Sequence, residues 1–129
     1  LESLALRLAC GKMNTEQIKN LKELNEGFIK AFDKEDYEEA ARCDEEFHNR
    51  IVESTGNDRL LQIINSLKIQ AYRYRLTYIK LTGSPDTIIK HHNDMIYAIE
   101  NNLPNMGEDV AKEHISYQSE FILKLIDEK

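Results

Sequence analysis

Glycine and proline are scarce in this 129-residue chain, five and two respectively, and alternating runs of β-branched residues are missing. A strand-rich fold is thereby excluded, and the few Gly and Pro fall where helices would be punctuated. Cysteine is scarcer still. Cys10 and Cys43 make neither a Cys-x-x-Cys pair nor a dense framework, which argues against a disulfide-stapled secreted module and for a reducing cytoplasm. A basic excess is also lacking: 17 Lys and Arg face 23 Asp and Glu, a formal net charge of −6. With its basic residues scattered, the chain is not expected to grip nucleic acid by itself. No apolar run approaches the ~20 residues that span a bilayer, so no membrane partner is expected. Leu8-Ala9-Cys10-Gly11 has the outline of a lipoprotein cleavage site, but Arg7 stands where a small or apolar residue is needed.

What is present is 41% hydrophobic residues, too many for a disordered tail, in a length that suits one domain with one core. The chain opens without Met in an apolar stripe of Leu1, Leu4, Ala5 and Leu8, as though a helix had been entered midway. This predicts a longer protein cut on its N-terminal side. A second helix is predicted over 15–31, capped by Asn14 and Gln17, with Ile18, Leu21, Leu24, Phe28 and Phe32 inward. A third runs from about Asp36 to Gly56, a natural left-handed terminator. Asn57 caps a fourth whose inner face reads Leu60, Ile64, Leu67, Ala71, Tyr74 and Tyr78 before Gly83. Ser84-Pro85 starts a fifth that lasts to about Asn102. Pro104 opens the last, which reaches Lys129 with Ala111, Ile115, Phe121, Ile122 and Leu125 apolar. The sum is all-α: an antiparallel bundle of six or seven helices, in a single domain over 1–129.

Polar residues interrupt the middle of three apolar stripes. At ~100° per residue, Asp44 and His48 occupy the centre of the side marked by Tyr37, Ala40, Ala41, Phe47, Ile51 and Val52. His92 sits amid Ile88, Ile89, Met95, Ile96 and Ile99, while its neighbour His91 falls toward a flank. His114 lies between Ala111 and Gln118. Buried separately, each such group costs something like 1 to 3 kcal/mol unless it finds a partner. One divalent cation would satisfy all four, and an N3O donor set suits zinc or nickel, with manganese, iron or cobalt also accepted. The alternative is an Asp44–His48 pair with two ordinary hydrogen-bonded core histidines. A di-iron centre built on Glu45-x-x-His48 lacks its second copy, because Ala111 precedes His114 at the matching place.

Four protein ligands leave one or two positions for water or an anion. Arg75, at the edge of the inner face, is placed to fork onto a carboxylate, unless it snorkels to solvent or pairs with a surface acid. Tyr74, Tyr78 and Gln118 are further effector-binding candidates. A Ser/His/Asp or Cys/His set is not apparent, and Cys43 projects away from the centre of its stripe, so no catalytic residue is expected and sensing is favoured over catalysis.

Taken in order, Leu1-Glu2 with Ala5 and Leu8-Ala9, Asp44-x-x-Phe47-His48, Thr55-Gly56-Asn57, His92 with Ala98-Ile99, and His114 twenty-two residues beyond His92 form a pattern. It resembles the ligand-binding C-terminal domain, called FCD, of FadR-type GntR transcription regulators. The resemblance covers essentially the whole chain. It implies an all-helical bundle of six or seven helices that binds a divalent metal through Asp44, His48, His92 and His114, and small organic acids as effectors. It also implies homodimers that contact a near-palindromic operator through a winged helix-turn-helix expected upstream and absent from these residues. His91 and Asn93, on either side of His92, and Leu103-Pro104-Asn105 depart from the family's pattern. The alternative function is a metal-dependent enzyme acting on a small carboxylate. A third reading is a structural dimerisation bundle with a filled polar core.

Overall fold

The structure, a computed structural model, describes residues 2–82 and 85–127, with side chains as far as Lys124. The expectations resting on Leu1, Gly83, Ser84, the Leu125 side chain and a helix end at Lys129 lie outside the described residues. Seven helices follow in order: α1 (Glu2–Ala9), α2 (Thr15–Asp33), α3 (Tyr37–Ser54), α4 (Asp58–Ser66), α5 (Lys68–Thr82), α6 (Asp86–Glu100) and α7 (Pro104–Asp127). Strands are absent among the described residues, and no helix there is long and apolar enough to cross a membrane.

The helix starts follow local chemistry. Asn14 Oδ1 accepts from the Gln17 amide at 2.8 Å while the Asn14 amide donates to Gln17 Oε1 at 2.9 Å, closing a capping box. Asp36 and Asn57 accept from the amides of Glu39 and Leu60 at 3.2 and 3.0 Å. Gly56 adopts φ +67° after α3, the left-handed conformation that terminates a helix without a Cβ clash.

The single helix expected from Asn57 to Gly83 is instead two. Leu67 leaves helical geometry, its amide turning back to Ile64 O at 3.1 Å. Ser66 Oγ donates to Ile63 O at 2.6 Å, a back-bond that bends helices, and Leu67 is 48% exposed, so no core contact holds it in register. The α1 stripe also differs: Ala5, Leu6 and Ala9 are buried and Leu4 is exposed. Ile115, expected inward, is exposed because α7 turns His114 and Gln118 to the interior instead.

Two apolar clusters fill the bundle. Leu6, Leu21, Phe47, Ile51, Met95, Ile99 and Ala111 form one, and Phe28, Phe32, Ala40, Ala41, Tyr78, Ile79 and Ile88 the other. Helices α2, α3, α6 and α7 pass between them, and each places a polar residue at the crossing. In α2 Asn25 stands between Leu21 and Phe28, and in α3 Asp44 and His48 follow Ala40 and Ala41 before Ile51. In α6 His92 falls between Ile88 and Met95, and in α7 His114 comes after Ala111 and before Phe121. The order of clusters along each helix sets α3 and α6 in one direction and α2 and α7 in the other. A polar layer thus crosses the bundle at one height.

Candidate metal centre

Four side chains meet in that layer. Asp44, His48, His92 and His114 are all buried, and one donor atom from each lies within 4.8 Å of the others. Asp44 Oδ1 is 3.0 Å from both His48 Nε2 and His92 Nε2. Two donors at ~2.1 Å from one ion and at right angles would be about 3.0 Å apart. The rings are held by packing: His92 stacks on Phe47 with centroids 4.2 Å apart and meets Phe28 edge-on, and His48 lies against His114 at 5.5 Å.

The hydrogen-bond arithmetic of this cluster does not close with protein groups alone. Asn25 Nδ2 donates to Asn93 Oδ1 at 3.1 Å, which turns Asn25 Oδ1 toward His92 Nδ1 at 3.0 Å. Both ring nitrogens of His92 therefore face oxygen acceptors, although a neutral imidazole has a single N–H. Burial pushes the His92 pKa down, and the neighbouring Asp44 does not restore it. With the proton on Nδ1, the Nε2 lone pair points at a carboxylate oxygen. His48 Nε2 and Asp44 Oδ2 are buried without a hydrogen-bond partner. A cation among these atoms removes each conflict.

Burial also drives the His114 pKa well down, reinforced by His48 and His92. For Asp44, burial acts upward, but the adjacent His48 and His92 side chains outweigh it and hold the carboxyl well below its usual range. Neutral imidazoles and an ionised carboxylate are the forms that ligate metal.

Arg75 neither snorkels nor stays free. It is buried, its Nη1 donating to Glu45 and its Nη2 to Glu2, with Nε 3.9 Å from Asp44 Oδ2. Burial alone would lower its pKa, but these three acids raise it. One guanidinium among three carboxylates leaves a local charge of −2, which a divalent ion would cancel.

Two openings flank this network. One, about 110 Å³, is bounded by Glu2, Glu45, His48 and Arg75 with apolar walls from Val52, Ile64, Leu67 and Ala71. The other, about 200 Å³, is bounded by Glu2, Tyr74, Arg75, His114 and Gln118. Tyr74 Oη is 3.0 Å from Ser119 Oγ, and Gln118 Nε2 is 3.4 Å from His114 Nε2. Tyr78 lines neither opening. It packs in the second apolar cluster against Phe121, and burial pushes its phenol up to about 12.

The sequence carries no signal for Asn25, for the inward position of His91, or for the pairing of Glu2 and Glu45 with Arg75; Glu45 enters there only in the rejected di-iron motif and Glu2 only in the family pattern. His91 is buried rather than flanking, with Nδ1 2.9 Å from His114 Nδ1, so one ring donates to the other; burial lowers its pKa. His91 and Asn93, the departures on either side of His92, are thus the neighbours of His114 and of Asn25. Cys43 is buried away from the donors, its sulfur close to Gly27.

A comparison with curated proteins gives no match. The FCD domain matches over residues 1–117, a regulatory, effector-binding domain consistent with the C-terminal part of a GntR-family regulator. A match of that extent on an all-helical bundle makes this chain a member of the FCD domain family.

Proposed function

We propose that this domain senses a small organic acid for a GntR-type transcription regulator of the FadR subfamily. In this reading Asp44, His48, His92 and His114 hold a divalent ion, zinc or nickel before manganese, iron or cobalt. The observation that carries it is the buried donor cluster with lone pairs facing one another. When bound, the ion supplies a positive centre with one or two open positions for a carboxylate oxygen. Arg75, Tyr74 and Gln118 orient the acid from the side of the two openings. Tyr78 supports the wall from the core without reaching the ligand.

Operator DNA is contacted through a winged helix-turn-helix that precedes this domain, the regulator acting as a homodimer whose DNA affinity the acid modulates. Elemental analysis of the purified protein is expected to give close to one divalent ion per chain. Chelator is then expected to lower the melting temperature by roughly 10–20 °C, since binding energy is folding energy. A panel of small mono- and dicarboxylates should raise it again in the metal-loaded protein only. Unchanged melting and no metal would contradict the proposal. The alternative, a metal-dependent enzyme, has no observation of its own and would require turnover of such an acid that disappears in His92→Ala.

A further inference from the structure

Two carboxylates hold the Arg75 guanidinium, and they are not equivalent. The Glu45 side chain is 8% exposed and comes from the middle of α3, whereas that of Glu2 is 25% exposed and comes from the first turn of α1. Glu45 is locked by the same helix that carries Asp44 and His48. Glu2 can swing toward solvent at small cost in desolvated contacts. Its Oε1 accepts from Arg75, and its Oε2 lies 3.9 Å from His48 Nδ1. It therefore sits beside the candidate metal centre, where an incoming acid must go.

The openings support the same assignment. Both are bounded by Glu2, Ala71 and Arg75, so the Glu2–Arg75 bridge is their common wall. At about 110 and 200 Å³, each is below the ~300 Å³ at which small-molecule sites begin. Withdrawal of Glu2 is what would join them. Charge adds a stoichiometry: with a divalent ion present, Glu2, Asp44, Glu45 and Arg75 sum to zero. A carboxylate that enters while Glu2 stays makes this set anionic, and one that replaces Glu2 keeps it neutral; Lys68, which also lines the first opening, is exposed to solvent and stands outside the set.

We propose that Glu2 is a built-in stand-in for the ligand's carboxylate, which a singly charged carboxylate displaces from Arg75 one for one. The proposal rests on the metal-and-acid reading above and adds what that reading leaves open: which group the acid must evict, and that α1 is the element released by its arrival. Because the ligand competes with a tethered side chain, its apparent affinity is reduced by the fraction of molecules in which Glu2 is out.

The test is acetate binding, followed by NMR titration of the zinc-loaded chain, in the wild type, Glu2→Gln and Glu2→Asp, with metal content measured in each sample. Glu2→Gln is expected to bind acetate at least about tenfold more tightly, since an uncharged amide no longer competes for Arg75. Glu2→Asp, one methylene shorter, should shift the same way by less and serves if the glutamine variant does not fold. Equal or weaker binding in the folded variants, or no binding in any form, with about one zinc per chain, overturns the role of Glu2. Failure to hold zinc, by contrast, removes the metal reading.

Discussion

The side of the bundle that carries the donors and the side that closes over them are built differently. On α3 and α6 the donors are embedded in continuous buried faces, with Phe47, Ile51, Met95 and Ile99 beside them. On α4 and the start of α5 only Leu60 is fully buried before Arg75, and Ile63, Leu67 and Ile69 are exposed. The donor side therefore holds His92 and Asp44 in place whether or not anything is bound. The thin wall has no such constraint, and it borders the first opening through Ile64, Leu67, Lys68 and Ala71. A preformed cluster of buried donors beside a loosely packed wall is an arrangement in which ligand arrival is felt by the wall first.

That contrast is broken most severely on the donor side. His92→Ala should abolish stoichiometric metal binding and also leave a cavity between Phe28 and Phe47, costing about 3–5 kcal/mol in denaturant unfolding. Retention of both metal and stability would mean the ring is a bystander. Next comes Glu45→Gln, which leaves the buried Arg75 with the more exposed Glu2 and, at 3.9 Å, with Asp44. A loss of about 3 kcal/mol is expected from urea midpoints, and a loss below 1 would place Glu45 outside the charge balance.

A smaller effect is expected at Asn25, which orients His92 without being a ligand. Asn25→Ala should weaken zinc affinity about 10–100-fold by competition with a chromophoric chelator, with the overall fold retained by circular dichroism. On the wall, Leu67→Ala should change stability by less than about 0.5 kcal/mol, because the side chain is 48% exposed. A larger loss there would show that the two sides are not so different after all.

The four donors were legible because helical periodicity puts a polar residue at the centre of an apolar stripe, and a stripe can be read within one helix. The caps at Asn14 and Asn57 and the helix start near Asp36 were legible for the same reason, as each acts within a single turn. What was hidden depends on which residue a neighbouring helix sets opposite. Asn25 reaches His92 across 67 positions and Glu2 reaches Arg75 across 73, and neither has a periodic signature. His91 was read as a flank because its own helix offers no reason to bury it; α7 supplies one by laying His114 and Tyr117 against it. The break at Leu67 escaped because Ile64, Leu67 and Ala71 keep helical spacing through it and no Gly or Pro marks the bend.

Anomalous diffraction at the zinc edge from crystals of the zinc-supplemented protein addresses the donor cluster most directly. The account predicts one strong peak per chain, about 2.0–2.2 Å from a nitrogen of each of His48, His92 and His114 and from an oxygen of Asp44. No peak there, with Asp44 and His92 hydrogen-bonded to each other or to water instead, would contradict it.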